Sequence, residues 1–204
     1  MASVNSPEDV INLVLRRIGH PLRIGSIYDG SVAAKASLDV YGQTRDELLR
    51  ELKPDFARRE VNLTLLKSAP VNGYIPPVAW DPTVNPPLPW LFEYAYNADM
   101  IEVGSVRAAP LFLPNFDPQP NSFETANDNA FNPAQKVILT NVANAVATYT
   151  GRITNPATWE AGFVEALVGS LARRLAVSLS DPKLLEFEAK DEAAETAVAG
   201  MRQG

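Results

Sequence analysis

The sequence predicts a mainly α fold: an antiparallel helical bundle with a small β/loop appendage and a proline-rich extended segment. Three observations lead there. Both ends of the chain carry apolar residues at helical spacing, bounded by capping signals. The middle loses that period, and twelve of the 17 prolines fall between Pro70 and Pro133. The same stretch holds seven acidic groups against one basic group, Arg107, so its charge of -6 equals that of the whole chain. These shifts divide the chain into a discontinuous helical domain, residues 1–69 and 154–204, and an acidic β/loop insertion, residues 70–153.

The first helix starts at Ser6-Pro7-Glu8-Asp9, where serine caps, proline fits the first turn and the acids meet the positive end of the helix dipole. Val10, Ile11, Val14, Leu15 and Ile18 then share one face, and Gly19-His20-Pro21 stops the helix. A second helix begins after Asp29-Gly30-Ser31, with Ala34, Leu38, Tyr41, Leu48 and Leu52 as its inner stripe. Pro54 interrupts it, and Asp55 is placed to cap a further helical segment through Leu66.

In the proline-rich middle, regular structure must be short, because proline removes a backbone donor and fixes φ. A strand pair is expected at Leu91–Tyr96 and Ile101–Val106, with Trp90, Phe92, Tyr94 and Tyr96 as an alternating packing face. Further strands are expected near Phe123–Ala126, Lys136–Leu139 and Ala145–Ile153, where β-branched and aromatic residues recur. The third main helix is expected to be capped by Asn155 and opened by Pro156, with Trp159, Phe163, Leu167, Leu171 and Leu175 at i, i+4 spacing. A last, alanine-rich helix should run from Pro182 through Leu184, Phe187, Val198 and Met201.

With no cysteine and one histidine, disulfides, a Cys/His zinc site and a cysteine nucleophile have no basis. No apolar run approaches the roughly 18 to 20 residues that span a bilayer. The opening residues lack the basic and apolar regions of a signal peptide, so a soluble protein made in a cytoplasm, without a membrane anchor, is expected. A net charge of -6 argues against general nucleic-acid binding, which needs a basic face to neutralise phosphates. The signatures of phosphate loops, nucleophile elbows, zinc proteases and calcium loops are absent, and no cofactor is expected.

His20, between a helix-stopping glycine and a proline, reads as a capping or surface residue rather than a general base. Glu93, Asp99 and Glu102 would be the acids to test for cell-wall hydrolysis, but their even spread in an acidic stretch favours a solvated or interface-facing surface. The doublets Arg16-Arg17, Arg58-Arg59 and Arg173-Arg174 are placed on helices, where neighbours diverge by about 100°, so ion pairing is favoured over DNA binding.

Two stretches resemble a known family. The first, INLVLRRIGHPLRIGSIYDGSVAAKASLDVYGQTRDELLRE, places Ile18, Gly19, Ile24, Ser26, Ala33, Tyr41, Arg45, Asp46, Leu48 and Leu49 in a helix, link and helix. The second, YTGRITNPATWEAGFVEALVGSLARRLAVSL, carries Tyr149, Arg152, Thr154, Pro156, Trp159, Phe163, Leu171, Ala172, Leu175 and Ala176. With EYAYNADMIEV between them, this ordered pair is similar to the tail tubular protein A and head-completion adaptor family of tailed, mainly short-tailed, bacteriophages. Where many members carry a tryptophan before Phe-Ala, this chain has Pro54-Asp55.

The resemblance implies a non-enzymatic virion protein at the head–tail junction, a ring with twelve copies as the expectation. Its implied partners are the portal protein, a tail nozzle or other tail protein and further copies of itself. Double-stranded DNA would cross the lumen without sequence-specific binding, consistent with an acidic balance that repels phosphate. The terminal helix, through Leu184, Leu185, Phe187, Val198 and Met201, is the expected portal or subunit interface. The alternatives are a virion-associated cell-wall hydrolase and a non-phage scaffold whose acidic segment binds a basic partner.

Overall fold

The computed structural model describes residues 4–74, 79–109 and 120–179. The chain divides into a helical unit, Met1–Phe56 with Ile153–Gly204, and a β unit, Ala57–Arg152. The bundle with a minor β appendage is therefore overturned: the fold is mixed α/β, and the described residues form two substantial antiparallel sheets of three and four strands beside three helices.

Helix α1 spans Pro7–Arg17. Its first turn is closed by a capping box, in which Ser6 Oγ accepts from the Asp9 N–H (3.2 Å) and Asp9 Oδ2 accepts from the Ser6 N–H (3.0 Å). Gly19, at φ +76°, takes the left-handed turn that follows the helix. The link to the next helix is tied back to α1: Asn12 accepts from the Ile24 N–H (2.9 Å) and donates to the Ile24 carbonyl (3.0 Å), and Glu8 accepts from the Ile27 N–H (3.1 Å).

Helix α2, Val32–Leu52, is capped by Ser31, whose Oγ accepts from the Ala34 N–H (3.1 Å). Its buried stripe is Ala34, Ser37, Tyr41, Thr44 and Leu48, whereas Leu38 and Leu52 are 44% and 50% exposed. The expected stripe was therefore partly out of phase. Small polar residues can sit on the inner face when their hydroxyls bond within the helix, as Thr44 does to the Val40 carbonyl (2.7 Å).

Asn155 and Pro156 open only a short 3-10 turn, Pro156–Thr158, and the chain is extended at Trp159 before helix α3, Ala161–Leu179. Helix α3 packs on both α1 and α2. Its Phe163, Leu167, Leu171 and Leu175 are buried, as are Val10, Ile11, Val14 and Leu15 of α1. The Phe163 ring meets Phe56 edge-on at 5.3 Å and Trp159 at 5.2 Å, which fastens the returning chain to the end of the N-terminal segment.

The expected helix through Leu66 does not form. Asp55–Ala57 is a 3-10 turn, followed by strands β1, Arg58–Asn62, and β2, Leu65–Ser68. Strands β3, Phe92–Ala95, and β4, Met100–Ala108, lie where strands were expected but do not pair with each other. With β5, Phe123–Asp128, β6, Gln135–Thr140, and β7, Ala145–Gly151, they form two sheets in the orders β1-β7-β4 and β2-β3-β6-β5. The two sheets share one core, which includes Leu63, Tyr94, Met100, Val106, Ile138, Ala147 and Tyr149. Tyr94 closes it at one point by donating its hydroxyl to the Val142 carbonyl (2.8 Å). None of the seven strands contains a proline, so the proline-rich composition describes the connections and not the sheets.

Candidate functional site

The four-stranded sheet brings together three ionisable side chains that are far apart in sequence. In its register Lys67 of β2 lies opposite Glu93 of β3, Glu93 opposite Leu139 of β6, and Leu139 opposite Glu124 of β5. Side chains alternate along a strand, so Ala126 and Asp128 share the face of Glu124. Lys67, Glu93 and Asp128 thus project from one face, while the intervening Tyr94 serves the core on the other.

The cluster is largely withdrawn from water, with Asp128 half-buried. Glu93 is 0% exposed and Lys67 is buried. Lys67 Nζ donates to Asp128 Oδ2 and to the Pro82 carbonyl (2.9 Å), lies 3.6 Å from Glu93 Oε1, and sits 5.4 Å from the Phe131 ring centre. Asp128 Oδ1 accepts from the Ala130 N–H (2.8 Å). Neither oxygen of Glu93 has a hydrogen-bond partner. The proline-rich connection helps to roof this face: Asn85 donates to the Ser68 carbonyl (3.4 Å), and Trp80 Nε1 donates to the Pro86 carbonyl (2.9 Å).

One ammonium between two carboxylates leaves one surplus negative charge when all three are ionised, and burying an uncompensated charge is costly. The acids respond oppositely. Burial, together with the adjoining Asp128 carboxylate and despite Lys67, pushes Glu93 up to about 7. Burial also tends to raise Asp128, but the hydrogen bonds from Lys67 and the Ala130 N–H outweigh it and hold Asp128 below its ordinary value.

The other expected acids do not join this group. Asp99 accepts from Arg59 (2.9 Å) and from the Tyr149 hydroxyl (3.0 Å), and Glu102 lies on β4 in the other sheet. The expectation that Glu93 belongs to a solvated or interface-facing acidic surface is overturned by its burial inside the β unit. His20 stays local, its Nδ1 within 3.2 Å of the Leu22 carbonyl. Two arginine doublets lie on or at the end of helices, but Arg58-Arg59 lies on β1. Each doublet supplies one ion pair: Arg17–Glu165 (2.7 Å), Arg59–Asp99 (2.9 Å) and Arg174–Glu47.

Comparison with known proteins finds no relative: no protein-family model matches the chain, and no curated protein matches it.

In the helical unit a polar groove of about 310 Å³ runs between α2 and α3, lined by Thr44, Glu47, Glu51, Ser170, Arg173 and Arg174. Its two acids and two bases balance, so it favours neither an anion nor a cation. Among the described residues, no group of three or more His, Asp or Glu is placed to hold a metal ion, and no helix is long and apolar enough to cross a membrane. Leu184, Leu185, Phe187, Val198 and Met201 lie outside the described residues.

Sequence reasoning singled out Glu93 but neither Lys67 nor Asp128. A charged residue amid apolar neighbours was visible at Leu65-Leu66-Lys67 and at Phe92-Glu93-Tyr94. The pairing of those two strands, which makes the charges partners, was not.

Proposed function

We propose that this chain is a structural, non-enzymatic subunit of the head-to-tail adaptor of a tailed bacteriophage. Twelve copies close into a ring that binds the portal on one side and the tail nozzle on the other. Double-stranded DNA passes through the lumen without being read. The protein is made in the host cytoplasm and resides at the head–tail junction of the virion.

One observation supports this reading above the others. The two stretches that resemble the adaptor family are far apart in the chain, and the first folds into one unit with the second from Ile153 onward, while Tyr149–Arg152 belong to the β unit. The first supplies α1 and α2, and the second supplies α3. Arg17–Glu165 and Glu47–Arg174 join them. A resemblance arising by accident in two separate segments gives no reason for them to share a core. The hydrolase alternative loses support, because Glu93 is sealed within a sheet and Asp99 is engaged by Arg59 and Tyr149.

Electron microscopy of the protein mixed with its portal tests the proposal, with each component alone as control. A closed ring of density against the portal is the expected result. Absence of a complex at every salt concentration, with this chain remaining a monomer, would refute it. Truncation after Ser180 is expected to abolish portal binding and leave the helices of the described region folded, as read by circular dichroism.

A further inference from the structure

The buried cluster of the β unit contains the parts of an amide-forming reaction. It has an amine, a carboxyl group in direct contact with that amine, and a second carboxyl group able to carry a proton between them. From this arrangement we propose that Lys67 and Asp128 condense to an intramolecular isopeptide bond, with Glu93 as the proton relay. The inference does not depend on the adaptor reading.

The step balances without a co-reactant. With Glu93 protonated, the cluster as a whole is neutral, and transfer of a proton from Lys67 to Asp128 converts the ion pair into an amine and an acid without changing that total. Burial lowers the cost of such neutral forms, because it removes the solvation that charged groups need, against the hydrogen bonds that hold Asp128 below its ordinary value. The Nζ lone pair then forms a bond to Asp128 Cγ. Glu93 takes a proton from Nζ and returns one to Oδ2, the Cγ–Oδ2 bond breaks, and one water leaves. Nothing is oxidised or reduced, and Glu93 ends in its starting state.

Each neighbour has a place in this step. The Ala130 N–H, 2.8 Å from Asp128 Oδ1, stabilises the negative charge that develops on that oxygen when nitrogen adds to the carbon. The Pro82 carbonyl, 2.9 Å from Nζ, aims the amine. Glu93, 3.6 Å from Nζ through Oε1 and with no hydrogen-bond partner of its own, is held near the reacting nitrogen with proton-carrying capacity unspent. Its raised proton affinity keeps it a donor near neutrality. Fixing both reactants in contact within one site replaces a very slow bimolecular condensation by an intramolecular one. A plain salt bridge accounts for Lys67 and Asp128, but it gives no reason for a second, unbonded carboxylic acid to be buried beside them.

The product would be mechanical. β2 and β5 are the two outer strands of the four-stranded sheet, so a bond from Lys67 to Asp128 ties one edge to the other. Pulling on the chain could then not draw Lys67 and Asp128 apart without breaking a covalent bond.

Mass spectrometry of the full-length protein tests this directly. Under denaturing conditions the wild-type chain is expected to weigh one water less than its sequence, and digestion should yield a branched peptide joining the Lys67 and Asp128 segments. Lys67→Arg, Asp128→Ala and Glu93→Gln are expected at full sequence mass. Circular dichroism matching wild type for Lys67→Arg, which keeps the cation, separates loss of the bond from loss of the fold. A wild-type chain at full mass with no branched peptide overturns the proposal. A branched peptide formed by Glu93→Gln as completely as by wild type overturns the role given to Glu93.

Discussion

Replacing Phe163 by alanine removes a residue that joins the returning chain to the N-terminal segment of the helical unit. The side chain is buried, and its ring makes two edge-on contacts, with Phe56 and with Trp159. Buried Phe→Ala substitutions cost about 3–5 kcal/mol, and the two ring pairs account for about 0.5–1.5 kcal/mol each within that total. The expected loss is about 4 kcal/mol, a large share of the roughly 5–15 kcal/mol that holds an ordinary domain together. Native-state hydrogen exchange reads it locally, because protection measures the free energy of opening. At about 1.4 kcal/mol per tenfold, peptides from α1, α2 and α3 should lose protection by roughly a thousandfold. Phe163→Leu keeps most of the burial but loses both ring contacts, so it should cost about 1–3 kcal/mol. Protection in these helices within threefold of wild type for Phe163→Ala would refute the packing argument, and with it the claim that the two sequence blocks form one core.

Two further outcomes follow from named contacts. Ser6→Ala removes the acceptor for the Asp9 N–H and half of the capping box, and should cost about 1 kcal/mol in urea unfolding; an unchanged midpoint would mean that the box contributes nothing to α1. Formation of the isopeptide bond should depend on pH through Glu93, whose affinity for its proton is raised by burial to about 7. Below that value Glu93 is protonated and able to relay; above it, the proton is lost. Chain purified unfolded and then refolded should therefore lose water at a rate that falls about tenfold per unit of pH above 7. A rate that instead climbs steadily through pH 9, following the amine alone, would remove Glu93 from the step.

Local chemistry was legible in the sequence wherever a short motif fixes the backbone. Ser6-Pro7 with Asp9, Gly19 and Ser31 set helix ends by hydrogen bonds or by φ, and the structure carries them out residue by residue. The strands β3 to β7 were also locatable, because β-branched and aromatic residues cluster between turn residues. The stretch after Pro54 was not. Val61, Leu63 and Leu65 alternate at the period of a strand, but Asp55 before an apolar stretch ending at Leu66 also fits a capped helix. Only pairing with β7 settles the matter, and β7 lies far along the chain. Strand partners failed for the same reason: β3 and β4 follow each other closely and look like a hairpin, yet each finds its neighbours elsewhere, β3 at β2 and β6 and β4 at β7.

The same nonlocality explains why the most consequential group in the β unit was half hidden. Taken singly, Glu93 is an acid in an acidic stretch, Lys67 a charge near the end of an edge strand, and Asp128 a turn former before Asn129 and Ala130. Each has an ordinary local explanation. Gathering them on one sheet face, with Lys67 and Glu93 buried and Asp128 half-buried, changes the energetic question from how each is solvated to how one surplus charge is removed. Protonating Glu93 neutralises the cluster reversibly, at the expense of an acid held above its ordinary range. Joining Lys67 to Asp128 removes one positive and one negative charge together, so the net charge stays where the Glu93 proton sets it, and what the bond abolishes is the cost of keeping an ion pair largely out of water. The surface pairs Arg17–Glu165 and Arg174–Glu47 remain within reach of water and carry no such penalty.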